Sequence, residues 1–348
     1  MTRICVIAAP LIARSGVYNS TVELVRAARR AGLDWSAVLG VSTKAGGASI
    51  AEDGIREFSR EPSGLTGVRR LSRDLARLPE VSGADLLISM VPQTDMALSL
   101  GAKPWVAYLR GLPWPAATEA GAVKTVAWRT LELLALRRAQ EVWATTPTLA
   151  RDVGSVVDRL VPPGLVPPTT PLGAPSNGTG DVVWAARFSR DKNPALFLDA
   201  LRGTDVHGVM YGSGPLEAEV RAAVPPNVRV GGWRSRDEVW SSARVYVGTS
   251  TREAFGRSAV EAAMLGIPVV MSRAFGCAEM LYTDATLAHH LVLDPVDVSA
   301  WTSAITRLTV DEEFYRDVSS HVRENAQRLT VESAVDNVRS AAADVLIA

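Results

Sequence analysis

The chain has 348 residues, 47% hydrophobic and 21% charged, with a formal net charge of zero. That balance suits a globular protein with room for roughly two domains. It excludes a global field drawing the chain to nucleic acid or membrane. Two cysteines, Cys5 and Cys277, exclude a disulfide framework, and a reducing cytoplasm is the expected setting. The run Ile4 to Ala9, closed by Pro10, is too short for a signal peptide. No apolar run approaches the roughly 18 residues that span a bilayer.

Short apolar runs alternate with amphipathic segments along the chain, the pattern of stacked βα units. In the first half, strands are expected at Arg3–Ala9, Trp35–Val41, Asp85–Met90 and Trp105–Leu109. Helices are expected at Tyr18–Ala31, Val68–Leu78 and Val123–Ala139. Residues 161–180 hold six prolines and four glycines without periodicity, which marks a linker. Beyond it, strands are expected at Asp181–Ala186, Val206–Tyr211, Val228–Val230, Arg244–Val247, Val269–Met271 and His290–Leu293. Helices fall at Pro194–Leu201, Pro215–Ala223, Arg236–Ser241 and Ser258–Leu265, and the tail reads as two helices broken near Leu329-Thr330. The fold class is therefore α/β, as two Rossmann-like domains. The first domain spans 1–162, the linker 163–180 and the second domain 181–329, with the helix from about 330 to 348 expected to pack back on the first domain.

The densest chemistry lies in Thr251 to Val270, where Glu253 and Glu261 stand eight residues apart across a strand-to-helix junction. Loops at the carboxyl ends of strands bind ligands in open α/β sheets, and carboxylates there suit sugar hydroxyls. The spacing by itself equally fits an ordinary βα loop with two solvated glutamates. In Ala185 to Pro194, Arg187 and Lys192 precede a helix whose first turn holds Pro194. Two cations beside a helix N-terminus suit a diphosphate, although a basic surface loop has the same residues. Gly212-Ser-Gly-Pro-Leu216 and Gly231-Gly-Trp233-Arg234 are glycine turns after strands. The first is no dinucleotide fingerprint, because Glu217 takes the third glycine position. Gly16, in a polar loop before the first helix, allows backbone amides to approach a phosphate or an acceptor. His207, His289, His290 and His321 have no metal spacing, and neither a P-loop nor a nucleophile elbow is present.

Together these segments resemble the retaining glycosyltransferases of family 4, with the GT-B fold. Arg187…Lys192-Asn-Pro194 resembles that family's phosphate-binding motif, and Gly212-Ser-Gly-Pro-Leu216 its G-x-G-P-L turn. Glu253-Ala254-Phe255-Gly256 through Glu261, then Gly266-x-Pro268, matches its E-x7-E signature. Val142-Trp-Ala-Thr-Thr146 and Val161-Pro-Pro-Gly164 resemble its last N-domain strand and the run before the linker. The resemblance implies two domains facing each other across a cleft and a UDP- or GDP-sugar donor, with no cofactor and no metal. It implies that Arg187 and Lys192 stabilise the leaving diphosphate and that Glu253, with the amides of Ala254 to Gly256, binds the donor sugar. Glu261 would hold the ribose. Gly16, Arg110, Gly212, Trp233, Arg234 and Val260 complete the expected donor contacts. The sequence departs from the family where Arg110-Gly111 replaces a histidine-glycine pair.

Two other readings belong to different classes: a non-catalytic partner protein on the same fold, and an NAD-dependent dehydrogenase or nucleotide-sugar epimerase. Alanine-, arginine- and valine-rich usage points to a high-GC bacterial or bacteriophage source, hence a small-molecule or envelope-glycan acceptor. Residues 1–160 carry 20 Lys/Arg against 15 Asp/Glu, a net +5. The segment Ser59–Pro79 places Arg60, Arg69, Arg70, Arg73 and Arg77 among leucines. It reads as a solvated helix on its own sheet or as a peripheral contact with the inner face of a membrane. A nucleic-acid partner is not expected, because interleaved aromatics are missing.

Overall fold

The structure, a computed structural model, describes residues 2–14, 16–114, 121–169 and 180–347. It divides into two compact units, Met1–Gly164 with Val331–Ala348, and Leu165–Thr330. Residues 170–179 of the expected linker lie outside the described residues.

The N-terminal unit is built on strands β1 (Ile4–Leu11), β2 (Trp35–Val41), β3 (Ile55–Ser59), β4 (Leu86–Ser89), β5 (Trp105–Leu109), β6 (Val142–Ala144) and β7 (Arg159–Leu160). They form one parallel sheet in the order β3-β2-β1-β4-β5-β6-β7. Seven of the eight residues of β1 are buried, because a central parallel strand is covered on both faces. Helix Val331–Ile347 packs on helix Val17–Arg30, with Arg30 3.6 Å from Glu332 and Arg159 2.6 Å from Asp344.

The C-terminal unit holds β8 (Asp181–Ala185), β9 (Gly208–Tyr211), β10 (Val228–Gly232), β11 (Ala243–Gly248), β12 (Val269–Ser272) and β13 (Val292–Leu293). Its parallel order is β10-β9-β8-β11-β12-β13. The connections reverse direction between β8 and β11, so the loops leaving these strands open a crevice at their carboxyl ends.

The elements differ from expectation in places. His290 is helical, within Ala285–Leu291, and only Val292–Leu293 is strand. Strands β3 and β7 and helix Val298–Val310 were not anticipated. Cys277 is buried at the start of a short helix, and burial pushes its thiol pKa up, with the Glu253 charge adding to the effect. Among the described residues no helix is long and apolar enough to cross a membrane.

Candidate functional site

The loop leaving β8 is shaped by its own residues. Arg190–Lys192 forms one 3-10 turn, and Asn193 then adopts the left-handed conformation at φ 47°. Asparagine tolerates that region well. Pro194 opens the next helix at a position where its missing N–H costs nothing. The loop leaving β11 holds this turn in place. Thr249 is buried and accepts a hydrogen bond from Trp184 Nε1 at 2.8 Å. Its hydroxyl lies 2.8 Å from the Lys192 carbonyl and 2.9 Å from that of Asn193, and donates to this pair. The Thr251 N–H donates to the Asp191 carbonyl at 2.8 Å.

This clamp brings Lys192 to Glu253: Lys192 Nζ donates to Glu253 Oε2 at 2.5 Å. The Glu253 backbone is fixed from its other side. Its N–H donates to the Ala274 carbonyl at 3.3 Å, and its carbonyl accepts from Gly276 at 2.9 Å. Gly256 then turns the chain into helix Arg257–Met264 at φ 101°, where a Cβ would lie 2.4 Å from the Phe275 ring. Only glycine meets both demands. Ser258 Oγ donates to the Ala185 carbonyl at 3.3 Å, joining this helix's first turn to the end of β8.

Beside these loops lies a cavity of about 500 Å³ lined by Arg187, Tyr211, Gly212, Gly214, Trp233 and Arg234, among others. Gly212 lets the turn approach closely. Its φ is 140°, and a Cβ there would stand 1.9 Å from the Ala186 carbonyl oxygen. Trp233 is 73% exposed and offers a bare aromatic face. Glu261 is buried one turn into its helix, with Arg236 Nη1 3.8 Å from Oε1. A backbone turn of this kind, two cations and an aromatic platform can hold an anionic group and a planar ring.

The structure thus joins Lys192 to Glu253 and gathers Arg187, Gly212, Trp233 and Arg234 around one cavity. Ala254 is exposed and Phe255 buried in the loop after Glu253. The Val260 side chain is fully buried and its N–H donates to the Gly256 carbonyl within the helix.

Gly16 and Arg110 belong to the N-terminal unit. Gly16, at φ 46°, precedes helix Val17–Arg30. Arg110 stands over the Tyr108 ring, 5.1 Å from its centroid, and lines a cavity of about 190 Å³ with Val17, Asp95 and Tyr108. Beneath it the sequence hid a pair of buried, electrostatically coupled carboxyls, Asp95 and Glu132. Two neighbouring carboxyls removed from water resist ionising together, so one keeps its proton more readily. Desolvation pushes Asp95 up to about 6, with Glu132 and Ser89 acting in the opposite direction. Desolvation and then the Asp95 charge push Glu132 well above the usual carboxylate range. Among the described residues no group of three His, Cys, Asp or Glu is placed to hold a metal ion.

Residues 179–311 match the family model described as glycosyl transferases group 1. The chain is similar in fold to sucrose-phosphate synthase from Thermosynechococcus elongatus, with TM-score 0.78, 19% identity and complete coverage of both chains. It is similar to Anabaena HepE, solved with UDP and glucose, with TM-score 0.72 and 16% identity over 99% of this chain and 100% of that one. A third likeness is to the lipopolysaccharide outer core galactosyltransferase WaaB, with TM-score 0.76 and 13% identity over 99% of each chain. No curated protein sequence matches the chain. The chain has the GT-B fold, and most of its C-terminal unit matches the glycosyl transferases group 1 model.

Proposed function

We propose that the chain is a glycosyltransferase, a retaining, metal-independent enzyme that moves a sugar from a UDP- or GDP-sugar to an acceptor hydroxyl. The observation that carries the reading is the contact of Lys192 with Glu253, two loops clamped together by Thr249. An ammonium has three donors, and Glu253 takes one, which leaves two for phosphate oxygens. With Arg187 at the neighbouring cavity, the cations supply the charge that a leaving diphosphate requires, the task a metal would otherwise perform. Glu253 accepts from the sugar hydroxyls, the base stacks on Trp233, and Glu261 receives the ribose.

In the proposed step the acceptor oxygen bonds to the anomeric carbon on the face from which the diphosphate departs. The anomeric carbon–oxygen bond breaks to phosphate, and the departing phosphate oxygen takes the acceptor proton. Charge growing on that oxygen meets donors fixed before the reaction, which is where electrostatic stabilisation is largest. The acceptor is a small molecule or an envelope glycan, held by the N-terminal unit.

The reading is tested by mass-spectrometric donor hydrolysis across a panel of UDP- and GDP-sugars, each with and without EDTA. UDP-glucose comes first, because HepE was solved with UDP and glucose. Release of nucleoside diphosphate from one donor, unaffected by EDTA, supports the reading. Activity abolished by EDTA and restored by Mg²⁺ would replace the metal-independent mechanism.

A further inference from the structure

One face of the N-terminal unit gathers cations that meet no acid among the described residues. Elsewhere in that unit Arg14, Arg26, Arg29, Arg56, Arg60 and Arg159 each contact a carboxylate. Arg69, Arg70, Arg73 and Arg77 are exposed and form no ion pair with a described residue. At 100° per residue these four fall within about 100° of one another, opposite the buried Val68, Leu71 and Leu75. The acid on the same helix, Asp74, is held by Arg60 at 3.0 Å.

Helix Pro92–Leu98 packs between helix Leu65–Ala76 and helix Ala122–Leu136. The last of these adds exposed Lys124, followed by exposed Arg137 and Arg138. It is also apolar in two directions. Its inner side buries Ala135 and Leu136, while Val123, Val126 and Leu134 are 86%, 64% and 50% exposed on its outer side. A surface helix needs one apolar stripe for its core, and a second, outward stripe calls for a cover. Between the helices lies a groove of about 400 Å³, whose lining includes Arg69, Met96, Leu100, Leu131, Leu134 and Arg138.

We infer that this face docks on an anionic lipid bilayer. The charge decides among occupants. A second copy of the chain would set cations against cations, and a nucleic acid would leave the aliphatic stripe uncovered. A bilayer surface takes both features: anionic headgroups face the arginines, and the valine and leucine side chains enter the headgroup boundary. The docking surface lies in the N-terminal unit and does not depend on the donor chemistry.

The test is co-sedimentation of the full chain with vesicles of phosphatidylglycerol and phosphatidylcholine in equal parts, and with pure phosphatidylcholine. Binding is expected only to the anionic vesicles and weakens with salt. Each cation removed lowers partitioning about five-fold, so Arg69→Gln, Arg73→Gln and Arg138→Gln combined lose roughly a hundred-fold. Val126→Ser with Leu134→Ser removes the binding that persists at high salt. Unchanged donor hydrolysis without vesicles shows that both variants fold. No binding to anionic vesicles, or wild-type binding by both variants, would overturn the inference. So would a solution dimer that Leu134→Ser dissolves in the absence of lipid, or tighter binding of this face to duplex RNA.

Discussion

Replacing Lys192 by methionine removes the ammonium and keeps most of the stem. The structure separates two consequences. The Lys192–Glu253 pair is 2.5 Å long, with side chains 21% and 24% exposed. A partly solvated pair of this kind contributes at most about 1 kcal/mol to stability, so unfolding shifts by only about 2–4 °C in units of this size. Catalysis loses far more, because removing one preorganised donor aimed at developing charge costs about 2.7–4 kcal/mol, or roughly a hundred- to a thousand-fold in kcat. Lys192→Arg restores part of the rate only where its fork reaches the same oxygens. The assay is initial-rate donor turnover alongside thermal unfolding, with affinities for the nucleoside diphosphate and monophosphate measured in parallel. The variant should lose its preference for the diphosphate. Near-normal turnover with intact diphosphate preference would refute the phosphate assignment, whatever the stability change.

Three further outcomes follow from the same geometry. Thr249→Val leaves Trp184 Nε1 and the Lys192 and Asn193 carbonyls without the buried hydroxyl between them. It should cost about 1–3 kcal/mol in denaturant unfolding and lower kcat by displacing Lys192; an unchanged kcat would show that the clamp does not position the site. Gly212→Ala sets a Cβ against the Ala186 carbonyl at φ 140°, and nucleotide titration should show affinity falling at least ten-fold while the fold persists. The third concerns Asp95, whose native pKa of about 6 lies above its ordinary 3.8. Between these values the native state binds more protons than the unfolded one, so this pair's contribution to stability falls as pH rises from about 4 through 6. Glu132→Gln removes one of the two coupled charges, so it should flatten that slope in urea unfolding and stabilise the chain above pH 7. A wild-type slope in the variant would show that the pair does not share a proton.

The sequence revealed the buried strands because parallel strands covered on both faces read as continuous apolar runs, as in β1, β5 and β11. It concealed β3, an edge strand in which Arg56, Glu57 and Ser59 break the run, and β7, which is two residues long. Arg187, Lys192 and Glu253 were legible as candidates because each lies on a local motif after a strand, and Glu261 because it follows in the next helix. Motif spacing does not say which side of a helix faces the core, so the complete burial of the Val260 side chain was not legible. Thr249 and the Asp95–Glu132 pair left no signal in the sequence. Their partners lie far along the chain and meet only when the sheet order brings those loops and helices together.

The most direct test of the central claim is proton NMR of the sugar at its first appearance during single-turnover cleavage of an α-linked nucleotide-sugar donor. The account predicts the α anomer first, with wild-type chain, and no cleavage by Lys192→Met on the same timescale. Release of the β anomer, or equal cleavage by the variant, would contradict it.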